Sequence, residues 1–201
     1  MERKWCANML AACGILLTSC QTVRTGDLLF HVSENGNAIT AVTPGMIDHV
    51  AIVLSKDSVI EAVPGKGVTT TAIDALSRQQ GSYLIGRVGK ADTRQSLLNA
   101  RQYIGCRYDS LYLPGNADIY CSELVLLSFV DKHGSLLFQP IPMSFHDQTG
   151  RITDYWTQFY SRRGLQVPEG KPGTNPGEMS QRGIVTIKGR LRKTYKQEKS
   201  Q

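Results

Sequence analysis

The chain is 201 residues long, enough for one domain with a real core, and no internal repeat is visible, which sets aside solenoid and array architectures. The formal charge is +6, from 23 basic and 17 acidic residues. Residues 182–199 alone hold seven basic side chains against the single acid Glu198, so the remainder is close to neutral.

The N-terminus has the order of parts of an export signal. Arg3 and Lys4 supply positive charge, the stretch to residue 17 is mostly apolar, and Leu17-Thr18-Ser19-Cys20 follows. Small residues ahead of a cysteine resemble the bacterial lipobox, in which the peptide is cut before the cysteine and its sulfur takes diacylglycerol. Residues 1–19 are therefore expected to be a lipoprotein signal peptide. Lipidated Cys20 would then hold the protein by acyl chains at a membrane of the bacterial cell envelope, facing the periplasm. The apolar run is shorter than the ~20 residues that span a bilayer; a short N-terminal anchor, or a soluble chain with an apolar start, is the alternative. An exported protein seldom meets nucleic acid. Anionic lipid or an envelope polymer is the more natural partner for the basic segment 182–201, unless it is simply a solvated end.

Cys6 and Cys13 leave with the signal, and two thiols remain, Cys106 and Cys121. In an oxidising compartment they are candidates for a disulfide. The surroundings of Cys121 suggest another use.

Gly26-Asp27-Leu28-Leu29-Phe30-His31 reads as a strand after a turn, followed by a polar loop over 33–37. Residues 48–54 and 59–63 are rich in β-branched side chains and flank the break Ser55-Lys56-Asp57-Ser58, a plausible hairpin. Further strands are expected over 68–71 and 83–88, with a short helix near 73–79. Asp92 is a candidate N-cap for a helix carrying Leu97, Leu98, Arg101, Tyr103 and Ile104 and stopping at Gly105. A second, largely buried helix is expected from Cys121 through Val130, ending near Gly134. A third covers 153–163, with Tyr155, Trp156, Phe159 and Tyr160 as packing residues. The Pro- and Gly-rich stretch 167–177 is expected to be irregular loop, and 184–187 a last strand.

Cys121 stands where the loop Leu113-Pro114-Gly115-Asn116-Ala117-Asp118 gives way to an apolar helix. Unpaired N–H groups and the positive end of the helix dipole favour a thiolate at such a position, and the same groups can hold an oxyanion. A thiolate nucleophile needs a base that later protonates the leaving group, and histidine titrates near neutrality. Of His31, His49, His133 and His146, His49 begins an apolar strand and is the best placed. His31 is its closest rival, and His133 and His146 fall in polar loops. Glu61 lies on the partner strand among Ile60, Ala62 and Val63, and suits the third polar group that orients the base. Asp48 is less suitable, because neighbouring strand residues point to opposite faces.

Gly26-Asp27-Leu28-Leu29-Phe30, Asp48-His49-Val50-Ala51-Ile52, Ile60-Glu61-Ala62, Tyr108-Asp109 and Tyr120-Cys121-Ser122-Glu123-Leu124-Val125 resemble the YiiX/YebB-like cysteine hydrolases, permuted relatives of the NlpC-type peptidases. The order His, Glu, Cys is the most specific feature of the match, since ordinary papain-like enzymes place Cys first. The resemblance runs from about residue 26 to residue 177. It implies an α+β, circularly permuted papain-like fold, in which a small antiparallel β sheet or half-barrel packs against helices and presents His49 and Glu61 to Cys121. The hydrolase domain is expected over residues 20–181.

The function expected is cleavage of an amide bond, in a cell-wall peptide or a related small peptide, through an acyl-enzyme on Cys121. A lipid ester hydrolase or acyltransferase is the nearest alternative, and a non-catalytic ligand-binding lipoprotein belongs to another class. A wall-peptide enzyme should present charged pocket groups, an acyl enzyme a long apolar channel. Tyr108, Asp109 and Tyr120 are candidate pocket residues, Cys106 a packing residue near the cleft. No cofactor is expected.

Overall fold

The computed structural model describes residues 22–192; the expected signal peptide, the lipidation site Cys20 and residues 193–201 of the basic segment lie outside the described residues. Five strands follow the predicted β runs closely: β1 (Leu28–Val32), β2 (Ile47–Val53), β3 (Ser58–Val63), β4 (Gly67–Ala72) and β5 (Ser82–Val88). With β8 (Val185–Arg190) they form a six-stranded sheet in the order β4-β3-β2-β1-β5-β8, with antiparallel neighbours throughout. The edge strand β8 lies within the basic C-terminal stretch, so residues 185–190 are built into the same sheet as the catalytic candidates.

Alternation along the strands buries both faces. One face, with Leu28, Phe30, Val50, Ile52, Ile60 and Ala62, packs against α2 (Thr93–Gln102), α3 (Cys121–Ser128) and α5 (Pro176–Ser180) through Leu97, Leu124, Val125 and Met179. The other, with Leu29, Ala51, Val53, Val59 and Ile85, is covered by Ile73 and Leu76 of the short helix α1 (Ile73–Ser77). This is the expected α+β arrangement of an antiparallel sheet packed on helices.

The predicted cap holds α2: the Asp92 carboxylate accepts from the Gln95 N–H. Helix α3 is shorter than expected. It ends at Ser128, with Phe129 already extended and Val130 bridging to Leu136, because Val130 N–H is taken by Ser96 Oγ and the Ser128 carbonyl by the Asn99 amide, both on α2. The apolar run continues through Phe129 and Val130, which are buried either way, so hydrophobicity alone does not mark this end.

Helix α4 (Asp154–Ser161) is capped by Thr153 and buries Trp156 and Tyr160, whereas Tyr155, expected to pack, is 54% exposed. The stretch 167–177 is not wholly irregular. Pro172–Gly173 (β7) pairs with Ile141–Pro142 (β6), and Asn175 caps α5 with Pro176 in its first turn. Proline costs nothing at the first helical position, where its missing N–H has no partner in any case.

Candidate active site

Three of the sequence-predicted residues meet at one place. Tyr120 is the N-cap of α3 and Cys121 its first residue, buried at 5% exposure. The first-turn N–H groups of α3 lack partners within the helix. One link is closed locally, since the Glu123 carboxyl reaches back to the Tyr120 backbone, half of a capping box. Strands β2 and β3 pair at Ile52↔Ile60 and Val53↔Val59, and beyond these pairs the side chains take over: His49 Nε2 lies 2.7 Å from Glu61 Oε2. Cys121 lies within interaction range of the same ring. With Nε2 engaged by the carboxylate, Nδ1 is the ring nitrogen left for the sulfur.

The electrostatics of this row are consistent with an ion pair. Burial works against a charged His49, but interactions with Cys121 and Glu61 outweigh it and raise the imidazole to about 10. Burial likewise pushes Glu61 up, yet the His49 and Thr71 hydrogen bonds hold its carboxyl below the ordinary range. Both sides of the His49–Glu61 contact therefore favour imidazolium beside carboxylate.

Cys121 opens on a cavity of about 290 Å³. Its apolar walls include Ile39, Val42 and Pro44 from the loop before β2, Pro142 of β6 with Met143 and Phe145 just after it, Trp156 of α4, and Tyr108, Tyr112 and Tyr120. Two carboxylates reach it, and both are already paired: Asp48 with His31 at 2.6 Å and with Asn37, Glu178 with Arg182 at 2.8 Å. Burial raises the Tyr108 and Tyr112 phenols, so both stay protonated donors.

Of the expected pocket residues, Tyr108 and Tyr120 line the cavity and Asp109 does not. Asp109 is a buried anchor whose carboxylate accepts from the Leu111 and Leu113 N–H groups and the Asn116 amide, folding the loop that carries Tyr112. Cys106 and Cys121 are both free thiols, and Cys106 packs beside the helix-side core. His31 is paired with Asp48 instead of Cys121, and His146 contacts Glu169 on an outer loop. Sequence reading missed Tyr112 and the apolar walls from 39–44 and 142–145. These come from three separate loops, and no local pattern links them.

Residues 22–183 match the model of a family described as permuted papain-like amidase enzymes, YaeF/YiiX, family C92. No curated protein matches the chain. Among solved structures, the crystal structure of the metalloprotein YiiX from Escherichia coli O157:H7 superposes with a TM-score of 0.68 at 19% identity, covering 88% of this chain and 100% of that one. The likeness is one of fold. A metal does not fit the residues here: Glu61 is spent on His49, and among the described residues no group of three or more His, Cys, Asp or Glu side chains gathers as a ligand set.

Proposed function

Because the chain belongs to the permuted papain-like amidase family of YaeF and YiiX, and is thus a cysteine hydrolase of the amidase class, we propose that it cleaves its amide through Cys121, His49 and Glu61. The observation that carries this reading is the row Glu61–His49–Cys121, with the imidazole bridged at one nitrogen by a carboxylate 2.7 Å away and facing a helix-initial thiol with the other.

In this mechanism the Cys121 sulfur attacks the carbonyl carbon, and the C–O π electrons move onto oxygen. The first N–H groups of α3 and the Tyr108 hydroxyl stabilise that oxyanion. Collapse breaks the C–N bond as the His49 imidazolium gives its proton to the departing amine. Water then attacks the thioester, losing a proton to neutral His49, and the acid leaves as the thiolate and imidazolium are restored. Glu61 keeps the ring oriented and its charge stabilised through both steps.

For the substrate, a cell-wall peptide fits an enzyme tethered in the envelope, but the cavity favours a second reading. Its walls are aromatic and aliphatic and its carboxylates are already neutralised by His31 and Arg182, so an amide or ester with an apolar acyl part is the better complement. N-acyl amides of rising chain length, tested against short charged peptides, separate the two. Rates rising with acyl length favour the acyl reading, whereas turnover confined to charged peptides overturns it.

The triad is tested by the rate of Cys121 alkylation by iodoacetamide against pH. Loss of His49 (His49→Ala) should lower the neutral-pH rate and displace the profile. Equal profiles with and without His49 would sink the proposal.

A further inference from the structure

A second histidine–carboxylate pair sits beside the first. His31 of β1 faces His49 of β2 in register, but the next pair is Val32↔Ile47, so Asp48 is the extra residue of a β-bulge. The Asp48 carboxylate makes two bonds there: to His31 Nδ1 at 2.6 Å and to the Asn37 amide at 2.6 Å. His31 Nε2 in turn lies 2.8 Å from the Gln80 carbonyl oxygen. A carbonyl can only accept, so Nε2 carries a hydrogen. A carboxylate also only accepts, so Nδ1 carries one too, and His31 is an imidazolium. The hydrogen bond to Asp48 is the main force raising His31, and Asp48 in turn is lowered although burial opposes it. The other titratable groups around His31 are His49, next to Asp48 on β2, and Tyr83 of β5, whose ring centroid is 5.0 Å away.

The backbone explains why this pair matters. His49 lies near the end of β2 where the ladder to β3 has already stopped at Ile52↔Ile60, and the ladder to β1 is interrupted by the bulge. Beyond the bulge β1 alone holds this end of β2, through Val32↔Ile47 and the bond from Ser33 N–H to the Met46 carbonyl, yet the base must be placed to a fraction of an ångström. We infer that His31 and Asp48 are positioning residues for the base: their ion pair pins the bulged end of β2 and so holds the His49 ring against Cys121. Asn37 extends the same grip to the loop that supplies Ile39 and Val42 to the cavity. Its own Oδ1 already accepts from the Ile39 and Thr40 N–H groups, so its amide is not free to turn round. An Asp48→Asn variant can keep its oxygen on the Asn37 amide only by turning its own N–H₂ toward His31 Nδ1, which must then give up its hydrogen, so the ion pair is lost.

The inference rests on the triad reading, and a double-mutant cycle keeps the two apart. Cys121 alkylation by iodoacetamide is followed by peptide mass spectrometry in the full chain, across pH, for the wild type, His31→Gln, Asp48→Asn, His49→Ala and His31→Gln/His49→Ala. The first two variants should lose between about ten- and a hundredfold in neutral-pH rate and shift their profiles toward that of His49→Ala. The double variant should match His49→Ala alone. A His31→Gln protein with the wild-type profile overturns the inference, whatever its melting temperature, as does a double variant that loses a further equal factor. A His49→Ala protein indistinguishable from wild type overturns the triad and this inference together.

Discussion

His49 carries two opposing influences, and their balance makes a testable pH signature. Burial disfavours its charge, whereas Cys121 and Glu61 restore it and raise the group to about 10. Glu61→Gln removes one of the raising contacts. The alkaline limb of kcat/KM, measured on any amide the enzyme turns over, should therefore move to lower pH in that variant, with a fall in rate of about 10²-fold or more. Glu123 shows the other case, a carboxyl raised by burial from 4.5 to about 7, with one buried oxygen lacking a partner. The folded state holds this proton more tightly than the unfolded chain, so the fold loses stability as pH rises from about 4.5 to about 7. Urea titrations at a series of pH values should show that loss in the wild type and a flatter profile in Glu123→Gln.

Elements of this fold are joined by a few buried polar anchors. Asp27, at the start of β1, is 1% exposed and binds the Arg87 guanidinium of β5 at 2.8 and 2.9 Å as well as the Arg24 N–H. Asp27→Ala strips the part-exposed Arg87 guanidinium and the Arg24 N–H of their buried partner and should cost about 2 kcal/mol in equilibrium unfolding. Gly67 opens β4 at φ +71, and a Cβ there would lie 2.1 Å from the Cys106 carbonyl oxygen. That close approach ties the β4 edge to the segment running toward Tyr108, through Val68 N–H to Cys106 O and Gly105 N–H to Val68 O. The polar contacts Thr174 N–H to Tyr120 Oη and Thr174 Oγ1 to Ser122 Oγ similarly strap the β7 segment across the N-terminus of α3.

At the scale of the whole molecule, the sheet and helices form a scaffold, and the cavity is built from the loops laid over one end of it. A third apolar cluster of Met143, Phe145, Trp156 and Tyr160 stands apart from the two sheet cores, and the first three of these line the cavity. No helix among the described residues is long and apolar enough to cross a membrane. The attachment expected at Cys20 is tested directly: if it holds, Cys20→Ser moves the protein from the membrane fraction to the soluble fraction and abolishes labelling by a fatty acid analogue. Retention of both membrane association and label in that variant would point to another anchor.

Legible in the residues alone were the order of strands and helices through α2, the helix-initial place of Cys121, and the candidacy of Glu61 on the next strand as the partner of His49. All of these follow from local pattern: β-branched runs, an Asp cap, and a thiol at a loop-to-helix junction. Position along a strand also made the choice among four histidines, and the structure brings His49, not His31, to Cys121. The features that local pattern does not reach are longer in range. The end of α3 depends on Ser96 and Asn99, about thirty residues upstream. The pairing of Asp48 with His31 depends on a bulge that breaks the strict alternation of the strand. The apolar character of the pocket depends on loops that meet only when the sheet brings their ends together. Local propensity sees neighbours a few residues apart, whereas each of these features is fixed by partners distant in the chain and adjacent in the fold.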